Sequence, residues 1–225
     1  VNKTYMRHAL QAYFEKSTKE KPIKIDLTEV RIKLIEHPFT DIQTSQWFYS
    51  EVLSVYHLGV IKGMTETTFV PDGKVTRAQF ITMLYRLDGE NKVEDGKNTF
   101  TDLAKDAYYT DAVNWGVKNG LINGMTATQF APDANITREQ LVTMLYRYAT
   151  FAKKDGMDKK VDLAEKFKDA ATVSAYAKEA LQWAAAQEIV KGDETGIRPL
   201  DNATRAEAAA LMIRINALAT AAAEK

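Results

Sequence analysis

Phe39-Thr-Asp41, Phe100-Thr-Asp102 and Phe167-Lys-Asp169 are each followed by a Thr-Arg motif: Thr76-Arg-Ala-Gln79, Thr137-Arg-Glu-Gln140 and Thr204-Arg-Ala-Glu207. In all three copies the threonine comes 37 residues after the phenylalanine. Equal spacings of this kind define a tandem repeat, in which each copy is one supersecondary unit that buries its apolar face against its neighbours. The chain is therefore predicted to contain three copies of one unit.

Each Thr-Arg motif predicts the start of a helix. The threonine is an N-cap candidate, and the Gln or Glu three residues later completes a capping box. Apolar residues follow at helical spacing: Phe80, Met83, Leu84 and Leu87; Leu141, Met144, Leu145 and Tyr148; Ala208, Leu211, Met212 and Ile215. A stripe of this width must pack against other elements. We therefore expect a mainly α fold, a pseudo-threefold trimer of helix-loop-helix repeats with these second helices in a central three-helix bundle.

A first helix is predicted in each repeat, at about 45–58, 108–119 and 174–187. In the first two copies it ends at Gly59 and Gly120, the residue type expected in left-handed conformation after a helix. In the third copy Gln187 is interpreted as the replacement for that glycine. The aromatic residues of the first helices are expected mainly in the core: Trp47, Tyr108, Trp115, Tyr176 and Trp183.

The repeats are placed at 39–90, 100–150 and 167–220. Residues 1–38 lie outside them and are interpreted as an N-terminal extension or the end of an upstream domain. Within this segment, residues 2–19 resemble a short amphipathic helix and residues 25–34 resemble a strand.

Composition excludes several classes of function. The 225 residues contain 30 Lys+Arg and 30 Asp+Glu, so no basic excess favours nucleic acid or an acidic membrane. No apolar run is long enough to span a bilayer, and no membrane insertion is expected. The chain has no cysteine. The three histidines share no metal-like spacing, and no nucleophile–base pair or phosphate loop occurs, so we predict no enzyme activity, metal or cofactor.

Arg77, Arg138 and Arg205 each stand at the first position of a predicted helix. A cation there is unfavourable because the helix N-terminus carries partial positive charge. Two counter-charges are possible. Asp41, Asp102 and Asp169 could pair with the arginines internally; alternatively, the arginines and the first-turn N–H groups could converge on an external anion.

The combination of these motifs resembles the S-layer homology (SLH) family. The matching pattern is Phe-x-Asp, an aromatic helix, Gly-(Val/Leu)-Ile-x-Gly, Phe-x-Pro-Asp and Thr-Arg-(Ala/Glu)-(Gln/Glu), repeated from residue 39 to about 216. The resemblance implies a three-pronged pseudo-trimer that anchors an exported protein to the bacterial cell wall or S-layer. It also implies binding of secondary cell-wall polysaccharide, often carrying pyruvylated N-acetylmannosamine, in grooves between repeats. The chain would then be attached to a parent S-layer protein or surface enzyme.

Carried over by position, the resemblance implies that the three arginines contact the anion and that the three aspartates shape the groove. Gly59 and Gly120 would let the ligand approach the backbone, and Trp47 would supply an apolar wall. The groove that depends on Gln187 is expected to bind weakly or not at all. Replacing Arg77 or Arg138 by alanine is expected to reduce binding with a stability change within about 1 kcal/mol, as at a surface site. The alternative function is a protein-interaction module that supports assembly of a surface layer.

Overall fold

The structure, a computed structural model, describes residues 37–93 and 98–219. The α-helices in these ranges are α1 (Tyr49–His57), α2 (Arg77–Leu87), α3 (Thr110–Lys118), α4 (Arg138–Phe151), α5 (Leu163–Lys166), α6 (Lys178–Ala186) and α7 (Arg205–Asn216). The same ranges contain isolated β-bridges but no strand. The prediction of a mainly α fold is therefore confirmed. The helix and strand predicted at 2–19 and 25–34 lie outside the described residues.

The second helices α2, α4 and α7 begin where the Thr-Arg motifs predict. Each has a complete capping box: the threonine hydroxyl accepts the N3 backbone N–H, and the N3 side chain accepts the threonine N–H. In α7 the second of these bonds, from Thr204 N to Glu207 Oε2, is 2.8 Å long. The local sequence therefore supplies the capping hydrogen bonds that mark these helix starts.

The first helices α1, α3 and α6 begin later than predicted. Their N-cap residues, Phe48, Tyr109 and Ala177, make no side-chain cap hydrogen bond. Without a capping side chain, the sequence carries no local signal for the start. In the third repeat a 3₁₀ turn, Ala175–Ala177, precedes α6.

The end of α6 corrects the interpretation of Gln187. The residues after α1 and α3 with positive φ are Gly59 (73°) and Gly120 (68°), and the third is Glu188 (56°). Gln187 has φ −86° and donates instead to the carbonyls of Asp155 and Gly156. The third repeat carries one extra residue before Tyr176, which moves the left-handed position from 187 to 188.

A closed ring of backbone hydrogen bonds joins the three repeats. The N–H of Val75 donates to Ala203 O (3.0 Å), that of Ala203 to Ile136 O (3.0 Å), and that of Ile136 to Val75 O (2.9 Å). All three residues are fully buried just before the second helices. Because each repeat both donates to one neighbour and accepts from the other, the repeats follow one another in a cyclic order.

Helix packing follows the same order, with each second helix against the first helix of the next repeat: α2 on α3, α4 on α6 and α7 on α1. Eight of the 11 residues of α2 are buried, against four of the nine in α1, so the second helices lie inside as predicted. Direct packing between second helices is seen for α2 and α7. That all three meet in one central bundle stays a prediction, as do the proposed repeat boundaries.

None of the helices in residues 37–93 and 98–219 has the length and apolar character needed to cross a bilayer.

Candidate functional site

The Phe-x-Asp aspartates organise the loop that precedes each second helix. Their carboxylates each accept two consecutive backbone N–H groups: Asp41 from Phe69 and Val70, Asp102 from Phe130 and Ala131, and Asp169 from Ile197 and Arg198. In each copy the second of these N–H groups belongs to a residue with positive φ, which the hydrogen bond stabilises: Val70, Ala131 and Arg198. Burial acts to raise the pKa of Asp102, but these N–H donors and Arg77 outweigh it and lower that pKa.

The predicted internal ion pairs between these aspartates and the motif arginines do not form among the described residues. Each arginine reaches instead into the next repeat in the cyclic order. Arg77 donates from Nε to Phe130 O (2.8 Å) and from Nη2 to Asn123 O (2.9 Å). Arg205 makes the equivalent bonds to Phe69 O and Lys62 O, both 2.7 Å. The arginines therefore tie one repeat to the next.

Arg77 and Arg205 are both buried and each stacks over a phenylalanine ring, at 4.8 Å from Phe130 and 4.6 Å from Phe69. Burial lowers the pKa of Arg205 to about 10, so its guanidinium remains charged at neutral pH. A stability change typical of a surface site is therefore no longer expected on replacing Arg77, because its burial contradicts that premise.

The first-turn N–H groups of the second helices also bond to a neighbouring repeat. Arg77 N and Ala78 N donate to Ala134 O and Pro132 O, and equivalent bonds form at the start of α4 and α7. These N–H groups do not converge on an external anion as the sequence suggested. The unfavourable position of the arginines is compensated by interfacial carbonyls, which carry partial negative charge.

Arg138 differs from the other two arginines. Its Nε donates to Ile197 O (2.8 Å), but its Nη1 forms an ion pair with Glu207 (2.7 Å). Glu207 Oε1 also accepts from Arg198 Nη2 at 2.7 Å. Burial acts to raise the pKa of Glu207, but Arg138, the Thr204 N–H and Arg198 outweigh it and hold that pKa below its usual value.

A cavity of about 520 Å³ lies beside this ion-pair cluster. We call it the Arg138 groove. It brings together all three repeats: Trp47 and Asp72 of the first, Arg138 of the second, and the loop 190–193 with α7 of the third. Arg198 and Arg214 also line it. Three arginines and Lys191 thus line one cavity together with three acidic residues, Asp72, Asp193 and Glu207, and with the exposed Trp47.

Two related sites are defined by the other aromatic residues. At the Arg77 groove, Tyr176 lies beside Thr137 and Arg77. At the Arg205 groove, Tyr108 lies beside Thr76 and near Arg86. Thr76 and Arg86 belong to the first repeat, whose Phe69 carbonyl accepts a hydrogen bond from Arg205.

The expectation that the aromatic residues are mainly core is wrong for the three that precede the first helices. Trp47, Tyr108 and Tyr176 are 60%, 64% and 56% exposed, whereas Trp115 and Trp183 are fully buried. The exposed residue in each repeat is followed by a buried one, Phe48, Tyr109 or Ala177. The turn before each first helix directs one side chain to solvent and the next one to the core. Helical periodicity does not apply to this turn, so it could not predict which side chain would be exposed.

Gly59 and Gly120 lie where predicted, with positive φ, and a side chain at either would meet no atom within 4 Å. The backbone conformation, not crowding, accounts for the glycine. Their role in ligand approach, like the ligand contacts of the three arginines, the three aspartates and Trp47, stays a prediction.

The sequence analysis missed a second set of arginines. Arg86, Arg147 and Arg214 each come nine residues after the motif arginine. Their Nη1 atoms face the carbonyls of Val60, Leu121 and Ile189, at 3.5, 3.5 and 2.9 Å. This fixed spacing was a usable signal. Arg198 was not predictable, since Val70 and Ala131 occupy its position in the other copies.

Among the residues in the described ranges, no cluster of three or more His, Asp or Glu side chains is arranged to hold a metal ion.

The fold and the grooves define the class: a helical module of three cyclically joined repeats with charged, aromatic-edged clefts between them. The family described as S-layer homology domain matches residues 38–81, 99–142 and 166–209. These matches cover more than half of the chain, so the chain belongs to the S-layer homology domain family.

Curated relatives carry the same region within longer proteins. An endoglucanase of Bacillus sp. (strain KSM-635) is 32% identical over 183 residues, covering 76% of this chain and 18% of that protein. The surface-layer 125 kDa protein of Lysinibacillus sphaericus is 32% identical over 170 residues, or 72% and 13%. The cellulosome-anchoring protein of Acetivibrio thermocellus is 29% identical over 163 residues, or 70% and 35%.

The chain thus spans between about an eighth and a third of the length of these three relatives. A region shared by an enzyme and by surface and anchoring proteins is not where the enzyme activity lies. With the family match, this identifies the chain as a bacterial cell-surface anchoring module.

Proposed function

We propose that the chain holds a protein on the bacterial cell wall by binding an anionic secondary cell-wall polysaccharide, without covalent attachment, in the grooves between repeats. The observation that carries this proposal is the Arg138 groove. It combines three guanidinium groups with the exposed Trp47 ring. Guanidinium groups recognise carboxylates, and an aromatic face packs against the apolar side of a sugar ring. A sugar that carries a carboxylate satisfies both.

The carboxylate is proposed to be a pyruvate ketal on N-acetylmannosamine. A ketal fixes a carboxylate rigidly on the ring, so that it can meet a guanidinium while the ring meets the indole. The groove has room for such a unit, because ligand sites in proteins have volumes of roughly 300–1,000 Å³. The parent protein would be an S-layer protein or a surface enzyme whose other domains lie outside this chain.

The test is co-sedimentation of the chain with isolated cell-wall polymer before and after removal of its pyruvate groups. We expect the chain to sediment with the intact polymer and to remain in solution with the depyruvylated one. A matched neutral polysaccharide controls for trapping. Equal sedimentation with both forms of the polymer would contradict carboxylate recognition.

The alternative is a protein-interaction module that supports surface-layer assembly. This alternative is supported by a set of exposed apolar side chains. Met64, Met125 and Leu200 are 52%, 56% and 58% exposed. Exposed apolar residues of this kind can mark protein contacts when they form a patch. Sedimentation without polymer separates the two functions, because self-association would depend on protein concentration alone.

A further inference from the structure

The second residue of each second helix differs in one copy only. It is Ala78 in α2 and Ala206 in α7, but Glu139 in α4. Ala206 lines the cavity of the Arg138 groove. Because the repeats are related in cyclic order, the same position in α4 faces the Arg77 groove. A glutamate there replaces a methyl group by a longer, negatively charged side chain.

Glu139 is bound on both carboxylate oxygens by the third repeat. Its side chain is buried, with the residue only 3% exposed. Oε2 accepts from Ser174 N (3.0 Å), and Oε1 accepts from Ser174 Oγ (2.7 Å) and Tyr176 Oη (2.8 Å). A buried carboxylate is costly unless it is hydrogen-bonded, and these donors supply that compensation. The carboxylate is therefore held in place.

The same bonds restrain Tyr176, the aromatic residue of the Arg77 groove. Tyr176 also lies beside Thr137 and near Arg77. Trp47, its counterpart at the Arg138 groove, has no hydroxyl and makes no such bond. In the Arg77 groove the aromatic side chain is therefore hydrogen-bonded to the glutamate of the same groove.

We infer that Glu139 closes the Arg77 groove to anionic ligands, and that the polymer is bound at the Arg138 and Arg205 grooves only. This inference rests on the proposed function. Two physical effects support it. Glu139 is bonded by the neutral donors of Ser174 and Tyr176, whereas Glu207 in the Arg138 groove is ion-paired with Arg138 and Arg198, so the Glu139 carboxylate repels a ligand carboxylate at short range. Its side chain, with the tethered Tyr176, also occupies space that Ala206 leaves open in the Arg138 groove. Glu139 is thus a specificity-determining residue that sets how many grooves bind.

The test measures the number of sugars bound per chain by titration calorimetry on the full chain. The probe is the methyl glycoside of pyruvylated N-acetylmannosamine. Glu139→Ala should raise the stoichiometry by one sugar per chain. The matched change Ala206→Glu, which grafts the acid into the Arg138 groove, should lower it by one. Ala78→Glu should do the same at the Arg205 groove.

Glu139→Ala leaves three donors unpaired, and the variant could lose its fold. The double variant Glu139→Gln, Tyr176→Phe removes the charge and one donor while keeping the packing. It should also gain a site, because the negative charge and the hydrogen bond that holds the ring in place are both removed, and circular dichroism is used to check that each variant is folded.

The outcomes are distinct. Unchanged or lower stoichiometry in both folded Glu139 variants, while Ala206→Glu loses a site, would overturn the role of Glu139 and leave the proposed function standing. Failure of the probe to bind the unmodified chain and every variant would overturn both.

Discussion

The Arg138 groove and the Arg77 groove are built from the same motifs and differ in their polar side chains. In the Arg138 groove Glu207 neutralises two arginines, and the exposed Trp47 has no hydroxyl to tether it. In the Arg77 groove the arginine donates to two carbonyls, as Arg205 does in its own groove, and the distinguishing residue is Glu139, which holds Tyr176 in place. The repeated motif keeps the scaffold the same in both grooves, whereas single substitutions beside it make their polar surroundings different.

The largest expected effect distinguishes the two arginines by stability. Arg77→Ala removes the donors to the buried carbonyl of Phe130 and to the carbonyl of Asn123, together with the contact with the Phe130 ring, and should lower the free energy of unfolding by about 2–4 kcal/mol. Arg138→Ala leaves the Ile197 carbonyl without its donor, while Glu207 stays paired with Arg198, so the loss of stability should be smaller than for Arg77→Ala. Urea unfolding of both variants measures the difference. Equal losses would contradict the assignment of Arg77 as an inter-repeat tie.

The next effect distinguishes the aromatic residues by binding. Trp47→Ala should weaken binding of pyruvylated polymer about tenfold, which corresponds to about 1.4 kcal/mol, by removing the wall of the Arg138 groove. Its stability should change by less than about 0.5 kcal/mol, because the side chain is 60% exposed. Surface plasmon resonance on immobilised polymer is the measurement.

Tyr176→Ala is the matched control for Trp47→Ala, since it removes the equivalent residue from the groove inferred to be closed. It should leave polymer affinity unchanged. A loss as large as that of Trp47→Ala would show that both grooves bind.

A smaller effect should follow from Glu207→Gln, which makes the third helix start like the other two. The capping box is retained, since Gln79 and Gln140 complete it in α2 and α4, but the ion pairs with Arg138 and Arg198 are lost. We expect a stability loss of about 1 kcal/mol at neutral pH.

The pH dependence of the stability measures the contribution of Glu207. Because its pKa is lower in the folded chain than its ordinary value of 4.5, its stabilising contribution is present above that value and is lost as pH falls through the folded pKa. Unfolding midpoints measured from pH 6 downwards should therefore fall less steeply for Glu207→Gln. Identical pH profiles would contradict a stabilising ion pair.

The smallest effect tests the corrected alignment of the third repeat. Glu188→Gly should slightly raise the thermal midpoint, because glycine adopts the positive φ of this position without strain. The ion pair that this change removes, with Lys166, is exposed and contributes little. Gln187→Gly is the comparison and should lower the midpoint, since Gln187 binds the 155–156 segment and has negative φ.

The repeat and the second helices were predictable because their signals are local. The Thr76 capping box and the apolar stripe of α2 lie within a dozen residues, and both are seen as predicted. The fate of Arg77 was not predictable in the same way. Its partners, Asn123 and Phe130, lie 46 and 53 residues away, and no local pattern indicates which carbonyls will meet a guanidinium.

The site shows the same division. The resemblance placed Arg138, Asp102 and Trp47 at a groove, but the aspartates proved to hold backbone N–H groups, and Trp47, Tyr108 and Tyr176 proved to be exposed. The replacement of glycine was assigned to Gln187 because spacing alone cannot locate a one-residue insertion. Backbone dihedral angles locate it at Glu188.

By itself, the sequence determined the three repeats, the starts of the second helices, the family and the absence of a charge excess, since these depend on spacing, capping and composition. The hydrogen-bond partners of the arginines and aspartates, the aromatic residues that face solvent and the donors that bind the Glu139 carboxylate are known only from the tertiary structure. Those properties arise where two or three repeats meet. Contacts between residues far apart in the chain are set by the cyclic packing of the whole module, which no single repeat encodes.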